Sequence, residues 1–190
     1  MKTKFFSKII LILFLIMIVL GFVIPGFINS SPIQSGLNLP EPRLCQSDAD
    51  CYLSCDDSPV SVLCSNNLCL QNSCEEQSYY LYNLNPLTFS LAVEAEGTVL
   101  DLASRANTND YFIQFSGMQV KVFTDGLFLN HILEKVNLKL AGACLSVDNT
   151  QYCNGDQGQL KLTINGEDSA QLGDYLPKEG DKLELKYRPS

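Results

Sequence analysis

The sequence predicts a single N-terminal transmembrane helix, a small disulfide-rich module and a mostly antiparallel β exterior domain with room for one short helix. Three observations predict this. An uncharged apolar run fills residues 9–28, all eight cysteines follow it, and apolar residues alternate with polar ones in short runs from residue 88 to residue 187. A chain of 190 residues leaves space for one ordinary domain, or two very small ones, beside a targeting segment.

The N-terminus reads as an uncleaved anchor. Residues 1–8 carry Lys2, Lys4 and Lys8 and form a basic tail, and residues 9–28, IILILFLIMIVLGFVIPGFI, contain no charge. Twenty residues at about 1.5 Å each span roughly 30 Å, the hydrocarbon thickness of a bilayer. A cleaved signal peptide would have a shorter apolar region and a small-x-small site. Cleavage after Ser30 would instead put Ile28 at the minus-three position. Lysines on the N-terminal flank orient the tail to the cytoplasm, so a single-pass protein in the plasma membrane is expected, with residues 29–190 outside the cytoplasm. Residues 29–43, NSSPIQSGLNLPEPR, hold prolines at 32, 40 and 42 and read as a linker. Asn29 starts an Asn-Ser-Ser acceptor pattern for N-glycosylation, close against the membrane.

Residues 44–77 read as the disulfide-rich module. Cys45, Cys51, Cys55, Cys64, Cys69 and Cys74 fall within thirty residues that hold few large aliphatic side chains, so covalent bridges must do what a core cannot. Three local bridges are expected; six cysteines admit fifteen pairings, and spacing does not choose among them. Zinc is disfavoured, because the cluster has no Cys-x2-Cys knuckle and no histidine. Asp48, Asp50, Asp56 and Asp57 could suggest calcium, but the glycine and distal glutamate of an EF-hand loop are absent, and solvated turn aspartates are the expectation. The segment C-x2-D-x-D-C-x3-C resembles small extracellular disulfide-knotted modules. Cys144 and Cys153 flank a Val-Asp-Asn-Thr turn signal and are expected to close a hairpin onto itself.

Residues 78–190 read as the β-rich domain. Phe89, Leu91, Val93 and Ala95 share one strand face, with Ser90, Glu94 and Glu96 opposite. Further strands are expected around Tyr111, Ile113 and Phe115; Met118, Val120 and Val122; Leu138 and Leu140; Leu160, Leu162 and Ile164; and Leu183, Leu185 and Tyr187. Asp125-Gly126 and Asn165-Gly166 supply turns. Residues 98–106 and 126–136 carry apolar residues at both helical and strand spacings, and one short helix packed on the sheet fits either.

The last thirty residues carry a resemblance. Leu160, Leu162, Ile164, an Asn165-Gly166 turn, Tyr175, a Gly180-Asp181 turn, then Leu183, Leu185 and Tyr187 resemble the close of small prokaryotic extracytoplasmic β-grasp-like domains. The resemblance implies a β-grasp-like or sandwich fold and, because such endings serve binding and assembly modules alike, no particular activity.

Charge and missing motifs narrow the function. Lys+Arg number 13 against Asp+Glu 21, and without the three lysines of the tail the balance is 10 against 21, or −11. A phosphate-backbone binder needs a basic footprint, so nucleic acid is excluded as a partner. The expected partner is the membrane, through residues 9–28. No cofactor and no metal are expected, because the chain contains no nucleotide-binding glycine motif, no G-x-S-x-G elbow, and one histidine, His131. Glu94 and Glu96 could serve as paired acids only in an aromatic-lined cleft, and the chain has no Trp. Tyr79, Tyr80 and Tyr82 form an aromatic group suited equally to a core or an interface. The expected role is a binding or surface-assembly module without catalysis. Two competing expectations are a secreted or periplasmic thiol-redox enzyme or small hydrolase, and an inhibitor-like disulfide module.

Overall fold

The computed structural model describes residues 41–78 and 80–190. The expected basic tail 1–8, spanning segment 9–28 and most of the linker 29–43 lie outside the described residues, as do Asn29 and Tyr79. Among the described residues no helix is long and apolar enough to cross a membrane.

In the cysteine-rich segment the chain makes a 3-10 turn (Asp48–Cys51) and two hairpins, β1 (Leu53–Cys55) with β2 (Ser58–Val60) and β3 (Cys64–Ser65) with β4 (Leu68–Cys69). Both hairpins reverse through two residues of positive φ, Asp56 and Asp57 at 49° and 61°, Asn66 and Asn67 at 51° and 60°. Asp and Asn tolerate this left-handed backbone, which matches the twist of a tight hairpin. The bridges are Cys45–Cys64, Cys51–Cys69 and Cys55–Cys74, so first pairs with fourth, second with fifth and third with sixth. Each loop spans 18 or 19 residues and interlaces with the others. The apolar interior is small: Cys45, Cys51, Val62, Cys64 and Cys69. Arg43, the last residue of the expected linker, is tied down here, its guanidinium donating to the carbonyls of Asp50 and Tyr52 at 2.8 and 3.0 Å.

The β body is built on β5 (Leu87–Ala95), whose alternation buries Phe89, Leu91, Val93 and Ala95. A two-residue turn returns the chain as β6 (Thr98–Val99), and helix α1 (Leu102–Arg105) follows, capped by Asp101, whose Oδ1 accepts from Ser104 N at 3.2 Å. Strands β7 (Ile113–Ser116) and β8 (Gln119–Val122) form a hairpin that extends β5. Helix α2 (Leu129–Glu134) buries Leu129, Ile132 and Leu133. The meander β9 (Leu138–Ala141), β10 (Cys144–Val147) and β11 (Thr150–Cys153) forms a separate three-stranded sheet. Then β12 (Gly158–Ile164) and β13 (Glu167–Ser169) turn through Asn165-Gly166, a 3-10 turn runs from Leu172 to Asp174, and β14 (Lys182–Pro189) ends the chain.

The large sheet has the order β13-β12-β14-β5-β8-β7, with β6 on the free end of β5. Every pairing is antiparallel except the central one, where β14 runs parallel to β5 with Leu183 beside Leu91, Leu185 beside Val93 and Tyr187 beside Ala95. The fold is therefore a mixed, mostly antiparallel β structure with a disulfide-rich region. Among the described residues it carries two short helices where the sequence left room for one, because residues 98–106 divide into a two-residue strand and a single helical turn. One side of the sheet joins α2 and the meander in a single core that includes Leu138, Leu145, Leu162 and Leu185. The other side presents Lys121, Lys161, Glu184 and Lys186 to solvent or half-buried.

Several expected side-chain directions change. Tyr111 and Met118 are exposed, because β7 starts at Ile113 and Met118 sits in the β7–β8 turn; Phe112 is buried instead. Glu94 and Glu96 do not share a strand face: β5 ends at Ala95, and Glu96 takes φ 52° in the turn to β6. Asp125-Gly126 makes a bend leading to α2 rather than a hairpin.

Candidate functional site

The disulfide-rich segment and the β body meet through one buried polar cluster. Asp48 opens the first 3-10 turn and is 1 % exposed. Its Oδ1 accepts from Cys64 N at 2.9 Å and from Lys135 Nζ at 2.6 Å; its Oδ2 accepts from Tyr111 N at 2.9 Å and Phe112 N at 3.1 Å. Lys135 stands at the C-terminal end of α2, where burial of Ile132 and Leu133 directs it toward the segment. It also donates to Asp110 Oδ1 at 2.9 Å, and that oxygen takes Asp48 N at 3.1 Å as well. Burial pushes the Asp110 carboxyl above its ordinary range; the Lys135 ammonium opposes this and the Asp48 carboxylate adds to it. Two buried acids on one lysine are held by backbone N–H groups from both parts, so removing the cation would leave uncompensated charge in the interior. Adjacent residues reinforce the joint: Val62 lies in the sulfur-rich interior while Leu63 belongs to the β core.

Above this cluster lies a cleft of about 560 Å³. The β3–β4 hairpin gives it Ser65, Asn66 and Asn67, α1 gives Arg105, α2 and its exit give Glu134, Lys135 and Asn137, and the β10–β11 turn gives Asp148. Arg105 holds Asp148 through a paired contact, 3.0 and 2.8 Å, which keeps the Asp148 carboxyl below its ordinary range. Glu134 Oε2 accepts from Ser65 Oγ at 3.2 Å, a second link between the segment and α2. The cleft wall thus balances cations and carboxylates, and amide side chains fill much of the rest.

A second polar network closes the C-terminal end. Tyr175 Oη donates to Asp181 Oδ2 at 2.6 Å, Lys178 N donates to the same oxygen at 2.8 Å, and Asn165 Nδ2 donates to Oδ1 at 3.0 Å. Burial would raise the Asp181 carboxyl, but these three hydrogen bonds outweigh it and hold the group below its ordinary range. Burial first, and the Asp181 carboxylate second, push the Tyr175 hydroxyl up to about 12. Asn165, Tyr175 and Asp181, which the sequence places in the turns and loop before the last strand, therefore act as one device that fixes the start of β14 against the end of β12.

The eight cysteines form four bridges, the last being Cys144–Cys153 between directly paired residues of β10 and β11, and no thiol is free. Sulfurs of Cys45, Cys51 and Cys69 lie within 4.8 Å of one another, but each belongs to a disulfide and offers no thiolate to a metal. The four aspartates considered for calcium are dispersed. Asp48 is in the buried cluster, Asp50 accepts from Gln46 N and Ser47 N, and Asp56 and Asp57 form a turn. His131 lies on α2 with its Nδ1 buried and unpartnered among the described residues, beside Phe128 rather than a nucleophile. Tyr82 stacks on Phe123 and meets Phe112 edge-on. Lys135, Asp110 and Arg105 carry no sequence signal, because their partners are 25 to 87 residues away. Comparison with known proteins finds no matching family model, no matching curated protein and no matching solved structure.

Proposed function

We propose that this chain is a single-pass membrane protein, anchored through residues 9–28 with its N-terminus in the cytoplasm, whose exterior portion acts by binding or surface assembly rather than catalysis. The observation that carries this reading is the fully bridged set of eight cysteines following an uncharged twenty-residue apolar run. Disulfides of this density persist in oxidising compartments outside the cytoplasm. The parallel pairing of β5 with β14 in the middle of the sheet supports a β-grasp-like exterior domain, since the first long strand and the last then lie side by side. The cleft between the disulfide-rich segment and α2 is the surface on which recognition is assigned. A thiol-redox role is disfavoured because no Cys-x-x-Cys pair of the kind that lowers a thiol pKa is present, and each cysteine is bridged to a partner nine or more residues away.

The test uses the full chain in its cell of origin. Carbonate-washed membranes should retain it, a membrane-impermeant amine reagent should label lysines of residues 41–190 in intact cells, and mass spectrometry should recover residues 1–30 on the mature protein. A soluble secreted form that lacks residues 1–30 would overturn the anchor, and labelling only after lysis would overturn the exterior location.

A further inference from the structure

We propose that the cleft above the Asp48–Lys135–Asp110 cluster binds a neutral, hydroxyl-rich ligand, a glycan, through a paired donor and acceptor on its floor. This rests on the reading of the chain as an exterior binding module and names the chemistry of its ligand.

The floor follows from a valence count. An ammonium carries three N–H groups, and Lys135 Nζ uses two of them on Asp48 Oδ1 at 2.6 Å and Asp110 Oδ1 at 2.9 Å. One donor remains. Asp110 uses only Oδ1, which receives Lys135 Nζ and Asp48 N, so its Oδ2 has no partner among the described residues. Both groups line the cleft, and both are held almost out of solvent, the Lys135 side chain 9 % and that of Asp110 4 % exposed. An unused donor and an unused acceptor side by side on the cleft wall are complementary to a hydroxyl, which donates once and accepts as well.

Charge excludes the competing ligand classes. Three cations, Arg105, Lys135 and Lys139, and three acids, Asp110, Glu134 and Asp148, line the cleft. A phosphate or carboxylate drawn to Lys135 would meet Asp110 at once, and a metal ion drawn to Asp110 would meet the ammonium of Lys135. A neutral group meets neither penalty. The amides of Asn66, Asn67, Asn107, Asn137 and Gln46 each offer a donor and an acceptor, which suits vicinal hydroxyls. At about 560 Å³ the cleft lies within the range of small-ligand sites. No aromatic ring among the described residues lines it, so recognition falls on hydroxyl edges rather than on stacking against a sugar face.

The experiment presents the full chain, in a detergent without a sugar head group, to immobilised neutral oligosaccharides of hexose and N-acetylhexosamine. Uronic-acid and sulfated oligosaccharides are run in parallel, with calcium and inorganic phosphate titrated separately. Retention on one or more neutral glycans is expected. Asp110→Asn should weaken it at least tenfold, and Gln46→Ala, an exposed rim change that leaves the fold intact, at least threefold. Lys121→Ala, on the outer face of the large sheet, should leave it unchanged. Retention only on acidic glycans, binding only of calcium or phosphate, equal retention of the Asp110→Asn and Gln46→Ala variants, or no retention at all would each overturn the proposal. A chain that labels at the cell exterior yet retains no glycan overturns the ligand class and leaves the module reading standing.

Discussion

The disulfide-rich segment and the β body reach order by different routes. The segment encloses five buried apolar side chains, four of them cysteines, and relies on three interlaced bridges. The body encloses a continuous core drawn from β5, β12, β14, α2 and the meander, and its single disulfide only ties two strands that are already paired. A disulfide acts mostly by restricting the unfolded chain, whereas an apolar core acts by removing surface from water. The two parts should therefore fail under different conditions, and the Asp48–Lys135–Asp110 cluster, which draws on both, decides how far they fail together.

Reduction should separate them most. Each of the three bridges contributes about 2–4 kcal/mol, so in strong reductant residues 44–74 should exchange their amide protons freely while β5, β12 and β14 stay protected. Hydrogen exchange read by mass spectrometry checks this; loss of protection in β14 on reduction would show that the body depends on the knot. Replacing Lys135 with Met should cost about 3–5 kcal/mol by leaving Asp48 and Asp110 buried without their cation. Denaturant unfolding should show the loss, with protection falling at Cys64, Tyr111 and Phe112, whose N–H groups the cluster holds.

Next comes a change confined to the body. Gly158 opens β12 beneath the Tyr187 ring, and a Cβ there would meet Arg188 O at 2.5 Å and the ring carbon Cζ of Tyr187 at 2.5 Å. Gly158→Ala should cost about 1–3 kcal/mol by overpacking and leave the disulfide-rich segment untouched, as thermal unfolding with thiol mapping would show. Tyr175→Phe should be of similar size, about 1.5–3 kcal/mol for a hydrogen bond to a charged acceptor. It also carries a pH signature. The Tyr175 hydroxyl titrates near its ordinary 10 when unfolded and at about 12 when folded. The native chain therefore holds its proton to higher pH, and the stability present below pH 10 is lost as pH rises toward 12. Unfolding midpoints measured across that window should fall in the native chain and stay flat, for this group, in the Phe variant.

Much of the body was legible because strand alternation is local. Phe89, Leu91 and Val93, Leu160 and Leu162, and Leu183, Leu185 and Tyr187 are buried on the faces their spacing indicates. The Cys144–Cys153 hairpin was legible for the same reason. The parallel pairing of β5 with β14 was not, since Leu91 and Leu183 are 92 residues apart and nothing in either strand encodes its direction relative to the other. The cleft was invisible from spacing. Asp48 reads as one more turn aspartate beside Asp50, and only the fold places Lys135 against it. Met118 and Glu96 followed the alternation in sequence but fell in turns, where periodicity stops.

The state of the cysteines in the full chain taken from its cell of origin, alkylated under denaturing conditions without reductant and then mapped by mass spectrometry, tests the bridged architecture most directly. No alkylated cysteine and four linked pairs, 45–64, 51–69, 55–74 and 144–153, are expected. Two or more alkylated thiols, or a different pairing among residues 45–74, would contradict that architecture.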